Sequence, residues 1–144
     1  MTALDLENMY LHIRLRPDMK KYLGFAVPQE DGSIVFFQFR VMPFGVKPAV
    51  AVVTRLLKPV KAYFHRLGIK FSIYIDDGRV SAASSEVCAR HMAFVLDILQ
   101  RVGWHIQWKK TVVQPTQSLL YQGFVTDSVA MAYFLPQEKW EKIR

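Results

Sequence analysis

The sequence has few of the features that mark several protein classes. A single cysteine, Cys88, cannot form an internal disulfide, and the four dispersed histidines complete no Cys/His set with zinc-ligand spacing. The longest apolar runs, such as residues 49–53, are far too short to cross a bilayer, and the N-terminus lacks a signal peptide's basic flank and apolar core. We therefore expect an intracellular protein, in the cytoplasm or nucleus, with no membrane partner.

Acidic residues are also scarce. Twelve Asp and Glu stand against 19 Lys and Arg, which gives a net charge of +7 and a pI near 9.7. This balance favours a polyanionic partner, although an ordinary solvated basic face explains the charge alone equally well. Hydrophobic residues make up 51% of the chain, which excludes a disordered tail. That content is high for a free-standing domain, so we expect part of the surface to meet a missing neighbour or a second copy.

Hydrophobic patterning predicts one domain of mixed strands and helices. Predicted strands cover residues 3–15, 22–27, 34–41, 70–75, 104–108, 119–125 and 130–135, a short return strand runs to Ala82, and predicted helices cover residues 48–66 and about 84–102. Asp31-Gly32 is typical of a hairpin turn, and Pro59 should kink the first helix or end it early. The order of elements predicts an α+β fold, an antiparallel sheet with helices packed on one face.

The stretch Tyr74-Ile75-Asp76-Asp77-Gly78 places two adjacent carboxylates at the end of a hydrophobic strand. At the tip of a hairpin both carboxylates can approach one cation. An inert, solvated Asp-Asp-Gly turn is the simpler explanation, because Asp and Gly are common turn residues. This stretch alone leaves both explanations open.

Asp5 is a lone acid within the apolar strand Thr2-Ala3-Leu4-Asp5-Leu6. A carboxylate in a buried strand is costly unless a metal, a base or a hydrogen-bond network compensates its charge. Oxygen ligands without any Cys/His set indicate Mg²⁺, which also takes substrate phosphate oxygens as ligands. Asp5 therefore favours a functional explanation for Asp76 and Asp77 as well.

Three stretches in this order resemble the palm of reverse transcriptases. Residues 4–13 resemble motif A, residues 42–49 (Met-Pro-Phe-Gly-Val-Lys-Pro-Ala) resemble motif B, and Tyr74-Ile75-Asp76-Asp77 resembles the Tyr-x-Asp-Asp box of motif C. Residues 103–111 and 121–124 resemble motifs D and E. The chain is similar to the polymerases of retroviruses and retrotransposons, closest to DIRS-like or LTR-type elements, over most of its length.

The resemblance implies a role for each matching residue. Asp5, Asp76 and Asp77 would be the catalytic carboxylates and, with the Leu6 carbonyl, would bind two Mg²⁺ ions, for which Mn²⁺ could substitute. The implied substrate-binding residues are Tyr10, Phe44, Gly45, Tyr74 and Lys110. Tyr10 would exclude a 2′-hydroxyl, and Lys110 would lie near the triphosphate and donate a proton to pyrophosphate. A core tyrosine and a solvated Lys109–Lys110 pair are the alternatives.

The implied activity is RNA-directed DNA synthesis, in which a two-metal site transfers a nucleotide from a dNTP to a primer 3′-hydroxyl on an RNA or DNA template. We expect residues 1–144 to form a palm with a partial fingers insertion at about 16–45, without the N-terminal fingers and the thumb. Asn8 and Met9 depart from the Asp-Ala usual in motif A, and Gln122 replaces a leucine in motif E. The alternative is an inactive module that binds nucleic acid or a protein partner, with fingers and thumb segments or self-association covering its apolar surface. An unrelated metal-dependent phosphodiesterase would need further His or carboxylate residues.

Overall fold

The computed structural model describes residues 1–141 and has the predicted α+β architecture. Its elements in chain order are β1 (Thr2–Asp5), a 3₁₀ turn (Met9–His12), α1 (Pro17–Lys20), β2 (Gly24–Pro28), β3 (Ile34–Gln38), α2 (Ala49–Arg66), β4 (Lys70–Tyr74), β5 (Asp77–Ser81), α3 (Ser85–Arg101), β6 (Ser118–Tyr121), β7 (Phe124–Asp127), β8 (Ala132–Phe134) and α4 (Gln137–Glu141). The end of the predicted domain, residues 142–144, lies outside the described residues.

The central sheet is antiparallel, with the strand order β1–β5–β4. Its β4–β5 hairpin turns through Ile75 and Asp76, and β1 pairs with β5 so that Asp5 stands opposite Asp77. A hydrogen bond of 3.0 Å from the Leu6 N–H to the Asp76 carbonyl also joins the end of β1 to the turn. Two parts of the sequence 71 residues apart are thus held together by backbone pairing.

The two long helices pack against this sheet and enclose the main core. From α2, Val53, Leu57 and Phe64 are buried, and Phe64 meets Phe71 of β4 edge-on with ring centroids 5.2 Å apart. From α3, Met92, Val95 and Leu99 are fully buried. The predicted amphipathic stripe of each helix therefore faces the core.

The predicted spans of both helices are confirmed within one or two residues. The Ser84 hydroxyl accepts a hydrogen bond from the Val87 N–H and caps α3, and Gly103 follows the helix with a left-handed φ of 94°. The prediction that Pro59 could end the first helix early was wrong, because α2 continues to Arg66. Burial of Leu57 and Phe64 on either side of the exposed proline outweighs the lost backbone hydrogen bond.

The first predicted strand is shorter than expected, and the strand predicted at residues 104–108 is absent from the described structure. The first strand ends at Asp5, because Asn8 adopts a left-handed φ of 47° and Met9 then enters a 3₁₀ turn with its side chain in the core. Residues 104–108 form no ladder. Only Ile106 makes an isolated bridge, to Leu6. Local backbone conformation overrides the alternating pattern in both places.

Gly78 does not belong to the turn, contrary to the interpretation of Asp-Asp-Gly as a turn sequence. It lies in β5, buried, and pairs with Leu4 on one side and Ile73 on the other. A Cβ atom there would lie 2.8 Å from Cγ and Cδ1 of Leu4, closer than carbon atoms can approach. The glycine is thus required by close packing next to the β4–β5 turn.

The β2–β3 hairpin and the β6–β7–β8 sheet leave many apolar side chains exposed. Every residue of β3 is exposed, and Phe36 reaches 80% exposure. Exposed apolar side chains of the second sheet include Leu120, Phe124 and Tyr133. This agrees with the apolar surface expected from composition. Among the helices of residues 1–141, none is both long and apolar enough to span a membrane.

Candidate active site

A cleft of about 210 Å³ opens where β1, the 3₁₀ turn and the β4–β5 turn meet. Six of the residues predicted for the site line it: Asp5, Leu6, Tyr10, Phe44, Asp76 and Lys110. Glu7, Asn8, Met9, Ile75 and Gln107 complete the lining. The fold thus gathers both of these predicted carboxylates, a cation and two aromatic rings from four separate parts of the chain.

Asp5 is held in place by the loop that follows α3. Its carbonyl accepts a hydrogen bond from the Gln107 N–H at 2.8 Å, and its own N–H donates to the Thr111 hydroxyl at 3.3 Å. The same hydroxyl donates to the Gln107 carbonyl at 2.9 Å, which closes the loop. The backbone of Asp5 is therefore held by two hydrogen bonds at the edge of the cleft that the residue lines.

Lys110 lies on that loop and faces Asp5. Its ammonium is 3.6 Å from a carboxylate oxygen of Asp5, whose side chain is 13% exposed while that of Lys110 is 69% exposed. The lysine therefore remains free to move toward a ligand in the cleft. Lys109 takes no part in this ion pair.

The carboxylates repel one another in a partly dehydrated environment. Burial raises the pKa of Asp5, Lys110 opposes that rise, and the charge of Asp76 adds to it. Burial also raises the pKa of Asp77, and the charges of Asp76 and Asp5 raise it further. Such a cluster favours a bound cation, because a cation neutralises both the burial penalty and the mutual repulsion.

Tyr10 and Phe44 form the apolar wall of the cleft. Their ring centroids are 5.2 Å apart with the planes at 88°, an edge-to-face pair. Tyr10 is half-buried and Phe44 is 61% exposed. The pair leaves one aromatic face available to a planar or sugar-like ligand.

Three predicted residues lie next to the cleft and not in its lining. Asp77 begins β5, opposite both Asp5 and Tyr74, and Tyr74 is 61% exposed. Gly45, with a left-handed φ of 82°, turns the loop after Phe44. The Asp77 carbonyl accepts a hydrogen bond from the Tyr121 hydroxyl at 3.3 Å, which links the β6–β7 hairpin to the β4–β5 hairpin.

A larger cavity, of about 930 Å³, lies between β5, the start of α3 and the β7–β8 strands. Arg79, Ser84 and Asp127 are among its lining residues. The carboxylates converge in the smaller cleft, so we assign the candidate site by its chemistry and not by its volume.

The sequence matches the family model described as reverse transcriptase (RNA-dependent DNA polymerase) over residues 1–126. The chain belongs to the reverse transcriptase family. Residues 1–126 include every stretch from motif A to motif E, so the resemblance to the retroviral type is confirmed.

Two proteins with similar sequences are viral polyproteins. A polyprotein of Cassava vein mosaic virus is 31% identical over 110 residues, which are 76% of this chain and 16% of the relative. The Gag-Pro-Pol polyprotein of squirrel monkey retrovirus is 26% identical over 128 residues, 85% of this chain and 7% of the relative. The chain thus spans a small part of the length of these relatives.

The fold is that of a known reverse transcriptase structure. The foamy viral protease-reverse transcriptase, solved in complex with an RNA/DNA hybrid, matches 99% of this chain with a TM-score of 0.77 at 20% identity. The match covers 18% of that chain. The predicted polymerase-palm architecture is confirmed.

The donor set of this reverse transcriptase domain fits Mg²⁺ in part. Asp5 and Asp76 both face the cleft, and their hard oxygen atoms are the ligands Mg²⁺ prefers. Within residues 1–141 no three His, Cys, Asp or Glu side chains converge closely enough to form a complete protein ligand set. Two carboxylates suffice for Mg²⁺ when substrate phosphates supply the remaining ligands.

Gln107 and Thr111 are the functional positions that sequence reasoning missed. The Gln107 N–H donates to the Asp5 carbonyl, the Thr111 hydroxyl accepts from the Asp5 N–H, and neither side chain is charged. In the sequence, the one sign of a role was that both residues lie within motif D, next to Lys110. Hydrogen bonds to the main chain of a residue so distant in the sequence leave no residue-type pattern.

Proposed function

We propose that this chain is the catalytic palm of an intracellular RNA-directed DNA polymerase. The observation that carries the proposal is the cleft that Asp5 and Asp76 both line. Lys110, Tyr10 and Phe44 surround the two carboxylates there. Membership of the reverse transcriptase family supports the same reaction. The foamy viral protein bound to an RNA/DNA hybrid supports a template–primer as the macromolecular substrate, with a dNTP as the second.

In this proposal Asp5, Asp76 and Asp77 hold two Mg²⁺ ions, with the Leu6 carbonyl as a further ligand. When bound, the two ions lower the pKa of the primer 3′-hydroxyl and stabilise charge on the leaving pyrophosphate. Asp5 and Asp76 face the cleft directly, while Asp77 stands across the strand pair from Asp5. Mn²⁺ could replace Mg²⁺, since it accepts the same oxygen ligands.

Tyr10 and Phe44 bind the incoming nucleotide. The edge-to-face contact with Phe44 orients the Tyr10 ring. In this proposal the ring lies beneath the sugar of the incoming nucleotide and leaves no room for a 2′-hydroxyl. Gly45 gives the loop its turn beside Phe44, and the exposed Tyr74 contacts the primer–template. These side chains position the substrate, which is a major share of phosphoryl-transfer catalysis.

Lys110 holds a proton at its ammonium nitrogen near the leaving group. Its largely exposed side chain, anchored only by one 3.6 Å ion pair, can turn from Asp5 toward the triphosphate. A protonated amine in that position would donate to pyrophosphate as the bond to the leaving oxygen breaks.

The departure at Asn8 and Met9 is compatible with this function. Asn tolerates the left-handed backbone that position 8 adopts, and the Met9 side chain fills the core at 3% exposure. Neither residue distorts the strand that presents Asp5. The inactive module predicted as the alternative has no independent support from this geometry.

Primer extension tests the proposal. Wild-type protein, an RNA template with a DNA primer, Mg²⁺ and dNTPs should give extended product, and Asp76→Asn should abolish it. Asp97→Asn, at an exposed position on α3 outside the cleft, is the matched control and should extend normally. Equal extension by wild type and Asp76→Asn would falsify the site, and no extension by folded wild type would favour the inactive module.

A further inference from the structure

The net charge of the chain resides in one continuous stretch. Residues 32–75 contain no Asp or Glu but seven basic residues: Arg40, Lys47, Arg55, Lys58, Lys61, Arg66 and Lys70. The other 12 Lys and Arg of the chain equal its 12 Asp and Glu in number, so they contribute no net charge. The whole excess of +7 therefore belongs to the segment after β3, which includes the Phe44–Gly45 loop, α2 and the start of β4.

On α2, Arg55, Lys58 and Arg66 lie on the exposed side of the helix, while Lys61 lies at the margin of the core, beside the buried Leu57 and Phe64. Lys58 and Lys61, three residues apart, share one stripe of the helix surface. Arg55 and Arg66, eleven residues apart and so about three turns, form a neighbouring stripe. All are exposed except the half-buried Lys61. We call Arg55, Lys58, Lys61 and Arg66 the α2 basic face.

The α2 basic face has no acidic partner in the described structure. Ion pairs in residues 1–141 join Arg16 to Asp18, Arg101 to Asp97 and Lys110 to Asp5, and none involves α2. The other long helix, α3, mixes its charges along its length and forms one of these pairs. Ordinary solvated faces intersperse both signs in this way, whereas like charges on adjacent turns repel one another.

The start of α2 lies beside the candidate active site. Phe44, which lines the cleft against Tyr10, precedes α2 by five residues, and the first turn of α2 follows directly on that loop. The 18-residue helix then extends about 27 Å away. A strand that enters or leaves the cleft can therefore follow the helix surface.

We propose that the α2 basic face is a second nucleic-acid-binding surface, outside the catalytic cleft, which holds the phosphate backbone of a strand without reading its sequence. Lys and Arg side chains are the usual phosphate contacts, and they carry no base specificity. The exposed aromatic residue of α2, Tyr63, lies outside the two basic stripes, so base stacking plays no part. This inference goes beyond the proposed polymerase activity and does not depend on it.

Binding of a fluorescent single-stranded oligothymidylate, followed by anisotropy in EDTA, tests the proposal. Wild type is compared with Lys58→Gln/Lys61→Gln and with Arg90→Gln/Arg101→Gln, which removes the same charge from α3. Between about 50 and 200 mM salt, the α2 variant should lose roughly 1.4 from the slope of log K against log salt, about 0.7 for each lost phosphate contact. Its affinity should fall roughly tenfold at the lower salt concentration, and the α3 variant should stay near wild type.

Equal losses in the two variants would overturn the proposal, since net charge alone would then explain binding. An unchanged slope of log K against log salt in the α2 variant would also overturn it. The same holds if the wild type does not bind the oligonucleotide but binds polyglutamate with the salt dependence expected for the oligonucleotide. Circular dichroism establishes that each variant is folded. Because EDTA prevents polymerisation, failure of primer extension leaves this result unaffected, and the two proposals fail separately.

Discussion

The ammonium of Lys110 faces the carboxylate of Asp5 across 3.6 Å, although the two residues are 105 positions apart in the sequence. The pair joins the loop after α3 to the strand that begins the site. Because the Lys110 side chain is mostly exposed, the ion pair adds little to the stability of the fold. The lysine therefore remains available to contact a ligand.

Replacement of Lys110 should separate its chemical role from its structural one. We expect Lys110→Met to slow primer extension by about 10²-fold, because the proton donor to pyrophosphate is lost. The free energy of unfolding should change by less than about 1 kcal/mol, since exposed ion pairs contribute that much at most. Lys109→Met is the matched control and should affect neither measurement. Primer extension by Lys110→Met at the wild-type rate would contradict the role of Lys110 as a proton donor, and its ion pair with Asp5 would then be its one assigned role.

We predict that Tyr121 positions the β4–β5 hairpin, and with it Asp77, through one hydrogen bond. Burial raises the pKa of its hydroxyl, which stays protonated and donates to the Asp77 carbonyl at 3.3 Å. We expect Tyr121→Phe to cost about 1 kcal/mol of stability and to lower kcat more than it raises KM. Tyr133→Phe, at a position with 68% exposure, is the control. A purely stabilising tyrosine would leave kcat unchanged at a temperature where the variant is fully folded.

Gly78→Ala should destabilise the protein, because the added methyl group would collide with Leu4. Overpacking of a close-packed core costs roughly 1–3 kcal/mol, which urea unfolding would measure. Gly78→Ala should cost less in a Leu4→Ala background than in wild type, since alanine has neither of the colliding leucine atoms. An equal cost in the two backgrounds would mean that the contact with the Phe71 ring, at 3.2 Å, dominates.

A substitution in the β6–β7 turn should raise the thermal stability of the protein. Gln122 and Gly123 both have positive φ, 51° and 77°, and they form the two-residue loop between the paired residues Tyr121 and Phe124. This geometry is that of a type I′ turn, which prefers Asn-Gly. We expect Gln122→Asn to raise stability by up to about 1 kcal/mol in thermal unfolding. Gln117→Asn, outside any left-handed position, should give no gain.

His12 should make stability depend on pH below neutrality. Burial lowers its pKa, and the charge of His105, whose ring centroid is 4.6 Å away, lowers it further, while the Met9 backbone and Glu7 oppose this. Between that lowered pKa and the ordinary value of 6.5, the unfolded chain binds more protons, so stability falls as pH falls through this window. Asp5 and Asp77, whose pKa values are raised, lose their contribution as pH rises and so act in the opposite direction.

A comparison of variants therefore tests the His12 effect better than the pH profile of wild type alone. We expect His12→Phe to flatten the pH dependence of the urea midpoint just below pH 6.5, because the group that takes up protons on unfolding is gone. An identical pH dependence in wild type and His12→Phe would contradict the assignment to His12.

The sequence predicted what depends on residue type and local spacing. Both long helices, the hairpin at Asp76 and the set of cleft residues followed from amphipathic periodicity, capping by Ser84 and the family motifs. It failed where backbone conformation or distant contacts decide, as at the left-handed Asn8 and at residues 104–108. The hydrogen bonds of Gln107 and Thr111 to Asp5 were hidden for a related reason. The Gln107 bond is made by its main chain, and the Thr111 hydroxyl accepts from the main chain of a residue that is distant in the sequence.

The site also depends on the register in which β1 pairs with β5 during folding. Side chains alternate between the two faces of a strand, so a slip of β1 by a single residue would turn Asp5 away from the cleft and bring Leu4 opposite Asp77. Such a misaligned protein would keep most of its backbone hydrogen bonds but would lose Asp5 from the site, while Asp76 and Asp77 would stay in the β4–β5 hairpin. Leu4, packed over Gly78, penalises that slip, so one apolar contact protects the alignment of the acids during folding.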